Sequence, residues 1–196
     1  YRTIQWSDAD VMVAGGTEAA ITPTGFGGFA ALTALTSSTH SKRCSIPFDK
    51  ERSGFVMGEG AGAVFMESLE SAQARGAKIL AEVVGYGQSA DAYDMVAPCP
   101  EGKGATKAME FALEDAGMKP EDVQYVNTHG TSTGLGDIAE SKAVERLFGD
   151  KDHNKNLYVS STKSMHGHML GATGAVESIA CIETINNDIV PPTINL

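Results

Sequence analysis

Basic residues are scarce in this 196-residue chain: 15 Lys and Arg stand against 25 Asp and Glu, a formal net charge of −10. Nucleic-acid binding runs on phosphate neutralisation by clustered cations, which so acidic a chain does not supply. A single Trp, with no alternation of aromatic and basic residues, also leaves no platform for stacked bases. No apolar run approaches the ~20 residues that a membrane-spanning helix needs. The three cysteines, Cys44, Cys99 and Cys181, are an odd number without Cys-x-x-Cys spacing. That argues against a disulfide framework or a zinc knuckle and for a reducing, cytoplasmic setting. The opening Tyr1-Arg2-Thr3-Ile4 has neither an initiator Met nor a basic and apolar leader. The chain therefore reads as beginning within a longer protein.

What the chain does have is apolar content and glycine. Hydrophobic residues at 42% and charged residues at 20% are the mix of a globular protein. Its 22 glycines are scattered between apolar segments rather than gathered in one tract. Val11-Met12-Val13-Ala14, closed by Gly15-Gly16, predicts a buried strand, and Gly60 to Met66 predicts a second. Between them, residues 23–30 read as a Pro/Gly/Phe loop and 36–47 as a polar loop with a basic cluster, His40, Lys42 and Arg43. Residues 67–75 predict a short charged helix stopped by Gly76.

From Lys78 the rhythm becomes β-α-β-α-β-α. Ile79 to Gly87 predicts a strand. Ala105, Ala108, Met109, Ala112, Leu113 and Ala116 share one helical face, ended by Gly117 and Pro120. A strand over 123–126 runs into a helix over 137–148, with Ile138, Val144, Leu147 and Phe148 facing inward. A strand over 157–161 leads to a helix over 172–186, dense enough in small and apolar residues to be buried. Such alternation implies right-handed crossovers and a mostly parallel sheet in a layered α/β fold. Ligands meet such sheets at the carboxyl ends of the strands. Both histidine-bearing segments fall there.

The first segment, Asn127-Thr128-His129-Gly130-Thr131-Ser132-Thr133, sets a histidine among small and hydroxyl residues that leave room for a ligand and donors to orient it. Equally, those hydroxyls suit capping of the helix that follows. The second, Ser161 to His168, contributes Lys163 and His168, then passes Gly171 and Gly174 into a helix carrying Glu177. Lys163 and Glu177 also suit a structural ion pair, and His166 an exposed turn. A metal held by His129, His166, His168 and an acid is disfavoured, because no carboxylate stands at tight ligand spacing and Lys163 would repel a cation. Gly58-Glu59-Gly60-Ala61-Gly62 imitates a dinucleotide loop but precedes a strand instead of joining strand to helix. None of the cysteines sits at a strand-to-helix turn that would activate a thiolate, so all three read as structural.

These two segments, the second extended through Gly171-Ala172-Thr173-Gly174-Ala175-Val176-Glu177, closely resemble the two histidine motifs of β-ketoacyl-[acyl-carrier-protein] synthases. Pro47-Phe48-Asp49-Lys50-Glu51-Arg52-Ser53-Gly54-Phe55-Val56-Met57-Gly58-Glu59-Gly60 and the ending Val190-Pro191-Pro192-Thr193-Ile194-Asn195-Leu196 resemble that family too, nearest its bacterial type II elongating members. The resemblance implies a thiolase-like α-β-α-β-α sandwich of two duplicated halves in a homodimer, incomplete here at both ends. Residues 1–76 would be the C-terminal part of the first half, and 77–196 the second half without its last strands. It implies a decarboxylative Claisen condensation of an enzyme-bound acyl thioester with malonyl on acyl carrier protein, with no cofactor and no metal.

By the same resemblance His129 and His168 stabilise the developing enolate, and Lys163 organises the site with Glu177. Thr131 and Thr133 hold the phosphopantetheine arm, and the acylated Cys lies outside the chain. Two positions depart: His166 stands where many relatives carry Thr, and Asp94 where His is expected. His40, Lys42 and Arg43 would form part of a dock for the acidic carrier. Two other functions remain open. One is a non-condensing partner subunit of the chain-length-factor type, against which retention of both histidines and the lysine argues. The other is a metal-dependent hydrolase.

Overall fold

The computed structural model describes residues 1–149 and 156–196. A short helix α1 (Arg2–Gln5) precedes strand β1 (Val11–Glu18), helix α2 (Pro23–Ala31) and strand β2 (Gly60–Glu67). β1 and β2 pair antiparallel over eight residues, Val11 opposite Glu67 and Glu18 opposite Gly60. Helix α3 (Leu69–Ala74) follows, with Ser68 capping it through the Ser71 N–H and left-handed Gly76 just beyond. Then come α4 (Lys103–Ala116), β3 (Tyr125–Asn127), α5 (Gly134–Phe148), β4 (Tyr158–Ser160), the short α6 (Lys163–His166) and α7 (Thr173–Asn187). β3 and β4 pair parallel, Tyr125 opposite Tyr158 and Asn127 opposite Ser160.

Helix α7 lies across β1 and β2. Glycine makes this possible. A Cβ at Gly62 would come within 3.1 Å of the Ala175 Cβ and 3.2 Å of Ile179 Cδ1, and one at Gly16 would overlap the Gly171 carbonyl. The glycines therefore sit where strand backbone meets helix. Side chains alternate along β1 and β2, so Met12, Ala14, Val64 and Met66 turn toward this packing while Val13 and Phe65 face outward.

Four expectations are corrected. Residues 23–30 are helical rather than a loop, because Thr22 caps the Gly25 N–H at 3.1 Å and Pro23 is preorganised for a first turn. These end effects outweigh the low helix propensity of the glycines. Ile79 to Gly87 joins no strand ladder; its backbone is held by side chains instead, with Asp115 accepting from the Tyr86 N–H and Asn186 donating to the Leu80 carbonyl. Apolar alternation specifies extended chain but does not supply a pairing partner.

On α5, Ile138 is exposed, and Asp137, Ala139, Ala143 and Phe148 face inward. The face is rotated because buried Asp137 accepts two backbone N–H bonds. On α7 only Thr173 is buried; Val176, Ile179 and Ile182 are half-buried and Ile185 is exposed, since the helix covers β1 and β2 with one side only. Among the described residues, no helix is long and apolar enough to cross a membrane.

Candidate active site

Parallel pairing of β3 with β4 puts both histidine segments at one end of the same small sheet. The Thr128 N–H donates to the Ser160 carbonyl at 2.9 Å, and Ser161 Oγ donates to the Gly130 carbonyl at 2.6 Å, so the loops run side by side. Gly130 is required at this crossing. Its φ is +35°, and a Cβ there would lie 2.5 Å from the Ser161 Cβ.

The outcome is a facing pair of imidazoles. The His129 and His168 rings have centroids 5.1 Å apart and planes at 87°. Phe55 packs edge-on against His168 at 5.3 Å, and Phe29 of α2 against Phe55. Burial, followed by the Lys163 charge, lowers the His129 pKa to about 4. Burial, then the charges of His129 and Lys163, does the same for His168. Both rings are neutral at pH 7. One side of His129 remains exposed, so solvent moderates the energetic weight of its shift.

The tautomer of His168 follows from its neighbours. The Leu170 N–H points at its Nδ1 from 3.2 Å, and Thr173 Oγ1 lies 3.1 Å from the same nitrogen. Nδ1 is therefore an acceptor, and in the neutral ring the proton sits on Nε2. That N–H has no acceptor among the described residues, which leaves it to a ligand.

Behind the imidazoles lies an ion pair. Lys163 Nζ is 2.5 Å from Glu177 Oε1, with the two side chains 1% and 16% exposed. The Lys163 carbonyl accepts from Ser45 Oγ at 2.7 Å, and its N–H donates to Ser161 Oγ. The C-terminal stretch braces this segment: Thr193 Oγ1 accepts from the Ser161 N–H, and the Ile194 N–H donates to Ser164 Oγ. Thr131 and Thr133 present adjacent hydroxyls, their Oγ1 atoms 2.9 Å apart. They bond to each other and leave α5 without a side-chain cap, which corrects the capping alternative.

Two site residues escaped the sequence reading. Glu140 accepts from the His129 and Gly130 N–H groups, both at 2.6 Å, and so fixes the histidine loop. Asp137 accepts from the Ser132 and Phe48 N–H groups and pairs with Arg52 Nε at 3.3 Å, docking the 46–54 segment against the site. Burial raises the carboxyl pKa of both acids against the pull of these donors. Their signal was present: an Asp and a Glu three residues apart in the first turns of a helix, where acids meet unpaired N–H groups. Of the basic cluster, His40 and Lys42 are exposed, whereas Arg43 is already engaged within the chain. Arg43 binds Asp49, Glu51 and the Asn195 carbonyl, so part of the cluster's charge is paired at the surface. The three cysteines are half-buried, and burial with the nearby Glu177 charge raises the Cys181 thiol pKa, against activation.

Known proteins resemble this chain along its whole length. Residues 1–72 match the family model of the beta-ketoacyl synthase N-terminal domain, and 80–196 that of the C-terminal domain. A 3-oxoacyl-[acyl-carrier-protein] synthase 2 from Synechocystis sp. is 52% identical over 197 residues, covering 100% of this chain and 47% of the relative. The chain thus spans about half the length of the curated relatives it matches.

Among solved structures, a type II PKS acyl-carrier protein in complex with its ketosynthase bound to the hexaketide superposes with a TM-score of 0.94. Identity there is 39%, covering 98% of this chain and 47% of the other. The ishigamide ketosynthase/chain length factor gives 0.88 at 38% identity, covering 99% and 45%. The fold is the thiolase-like α/β fold of these ketosynthases, and the chain belongs to the β-ketoacyl synthase family.

Proposed function

We propose that this chain is part of a 3-oxoacyl-[acyl-carrier-protein] synthase that elongates fatty acids in the cytoplasm. Residues 1–76 belong to its first thiolase-like half and 77–196 to its second, a division supported by the separate family matches over 1–72 and 80–196. The full protein works as a homodimer on malonyl and acyl groups carried by acyl carrier protein. An acyl group held as a thioester on a cysteine outside this chain is attacked by the enolate that malonyl leaves when it loses CO2. The hard point is the charge that gathers on the malonyl thioester oxygen as the C–C bond breaks. The neutral His129–His168 pair carries this reading: two uncharged imidazoles converge on one space, and the His168 Nε2–H is free to donate to that oxygen.

The remaining residues prepare this pair. Burial is the main reason both rings stay unprotonated, and Lys163, paired with Glu177, adds its charge to that effect. Thr131 and Thr133 offer hydroxyls for the amide groups of a phosphopantetheine arm. The test uses the full-length protein that carries this chain and measures CO2 release from malonyl on acyl carrier protein. His129→Ala and His168→Ala are each expected to lower the rate by about 10²–10³, the usual effect of removing one such donor. Unchanged release in both variants refutes the assignment. A second reading, a partner subunit of the chain-length-factor type, draws on the likeness to a ketosynthase/chain length factor structure. It gains support if the wild-type protein neither takes up an acyl group nor releases CO2.

A further inference from the structure

His166 ends α6 and has no role in the reaction described above. Both of its ring nitrogens are nevertheless engaged. Nδ1 lies 2.8 Å from the Gly167 carbonyl oxygen, and Nε2 lies 3.0 Å from Thr162 Oγ1. A carbonyl only accepts, so Nδ1 carries the proton. In the neutral ring Nε2 is then an acceptor, and the Thr162 hydroxyl must donate to it. That hydroxyl belongs to a residue 3% exposed and has one proton to give. Its other acceptor neighbour is Glu177 Oε1 at 3.5 Å, the same oxygen that Lys163 Nζ approaches to 2.5 Å. One proton therefore faces two acceptors, and the nearer one takes it.

We propose that His166 is a positioning residue that draws the Thr162 proton onto Nε2 and so leaves Glu177 Oε1 to Lys163 alone. The charged and titratable groups around this relay are Lys163, Glu177 and the His168 ring. Were the ring to present a donor at Nε2, the Thr162 hydroxyl would turn about, accept from the ring and donate to Glu177. The carboxylate would then divide its charge between two donors. Lys163 would be held less firmly, and the placement of its charge behind His129 and His168, which adds to burial in lowering both imidazole pKa values, would loosen. The kinetic consequence rests on the proposed decarboxylation, whereas the direction of the hydrogen bonds does not.

Neutron diffraction from D2O-exchanged crystals of the full-length protein tests the geometry directly. The expected map has deuterium on His166 Nδ1, none on Nε2, and the Thr162 hydroxyl deuterium directed at Nε2. Deuterium on Nε2, or a hydroxyl turned toward Glu177, overturns the proposal whatever reaction the protein performs. The kinetic arm follows CO2 release from malonyl on acyl carrier protein. His166→Leu, which offers no acceptor, is expected to lower kcat about tenfold with little change in KM, the scale of one redirected hydrogen bond to a charged group.

His166→Gln, whose amide oxygen accepts from Thr162, retains most of the rate. Adding Thr162→Val to His166→Leu removes the misdirected proton and restores most of the lost kcat. A purely structural role predicts the reverse, with the double variant as slow as the single or slower, and that result also overturns the proposal. If the wild-type protein releases no CO2, the functional reading fails while the neutron map still decides the relay.

Discussion

Removing Lys163 is the sharpest test of how this site is built. An exposed lysine–carboxylate pair is worth about 0–1 kcal/mol, because water screens it and both side chains give up freedom. Lys163 and Glu177 are not such a pair: their side chains are 1% and 16% exposed, and Nζ meets Oε1 at 2.5 Å. Lys163→Met leaves the carboxylate enclosed, with only the Thr162 hydroxyl at 3.5 Å. Stranding a buried charge in this way costs about 3–5 kcal/mol.

Lys163→Met/Glu177→Leu removes both charges at similar volume and is expected to recover stability to within about 1 kcal/mol of wild type. Urea unfolding of the full-length protein at pH 7 supplies the comparison, with each loss read from the midpoint and slope. A single-variant loss below about 1 kcal/mol, or a double variant no better than the single, refutes the view that burial makes this pair matter.

Two further outcomes follow from the same geometry. Glu140→Gln exchanges a carboxylate that accepts two backbone N–H groups for an amide that accepts one and turns an NH2 toward the other. It is expected to destabilise the protein by about 2 kcal/mol and to slow CO2 release, with unfolding midpoint and rate falling together; an unchanged midpoint refutes it. The ring NMR signals of His129 and His168 are expected to stay those of neutral imidazole down to about pH 4, and to titrate at higher pH in Lys163→Met. Because the folded values lie below the ordinary 6.5, the unfolded chain takes up protons first on acidification. Stability from the neutral rings is thus present above 6.5 and lost as pH falls toward about 4. Midpoints near 6.5 in the folded protein refute the burial argument.

Much of the site was legible before any coordinates. An apolar strand, a histidine among glycine and hydroxyls, and then a helix is a local pattern, and strand ends in α/β sheets collect chemistry. That placed His129, Lys163 and His168 at one edge. Glu140 was hidden because its role is to accept backbone N–H groups ten and eleven residues earlier, a relation of space and not of spacing. The pairing of Arg43 was hidden for the matching reason: a basic cluster in a loop says nothing of the Asp49 and Glu51 carboxylates that fold back onto it. Ile138 misled because periodicity counts apolar residues, while Asp137 took the inner face with hydrogen bonds that no pattern displays.

By itself the sequence determined the family motifs, the acidic balance and most of the helices and strands, since turns and charge are local properties of residue order. It missed the helix at Pro23–Ala31 and the unpaired stretch 79–87, where end capping and strand partners decide. Only the tertiary structure decided that two imidazoles face each other at 5.1 Å, that their pKa values fall to about 4, and that Lys163 is spent on Glu177. The physical reason is that proton affinity and charge pairing depend on desolvation and distance. Both are set by how β3, β4, α5 and α7 pack together, with glycines such as Gly62 and Gly130 leaving room for the approach.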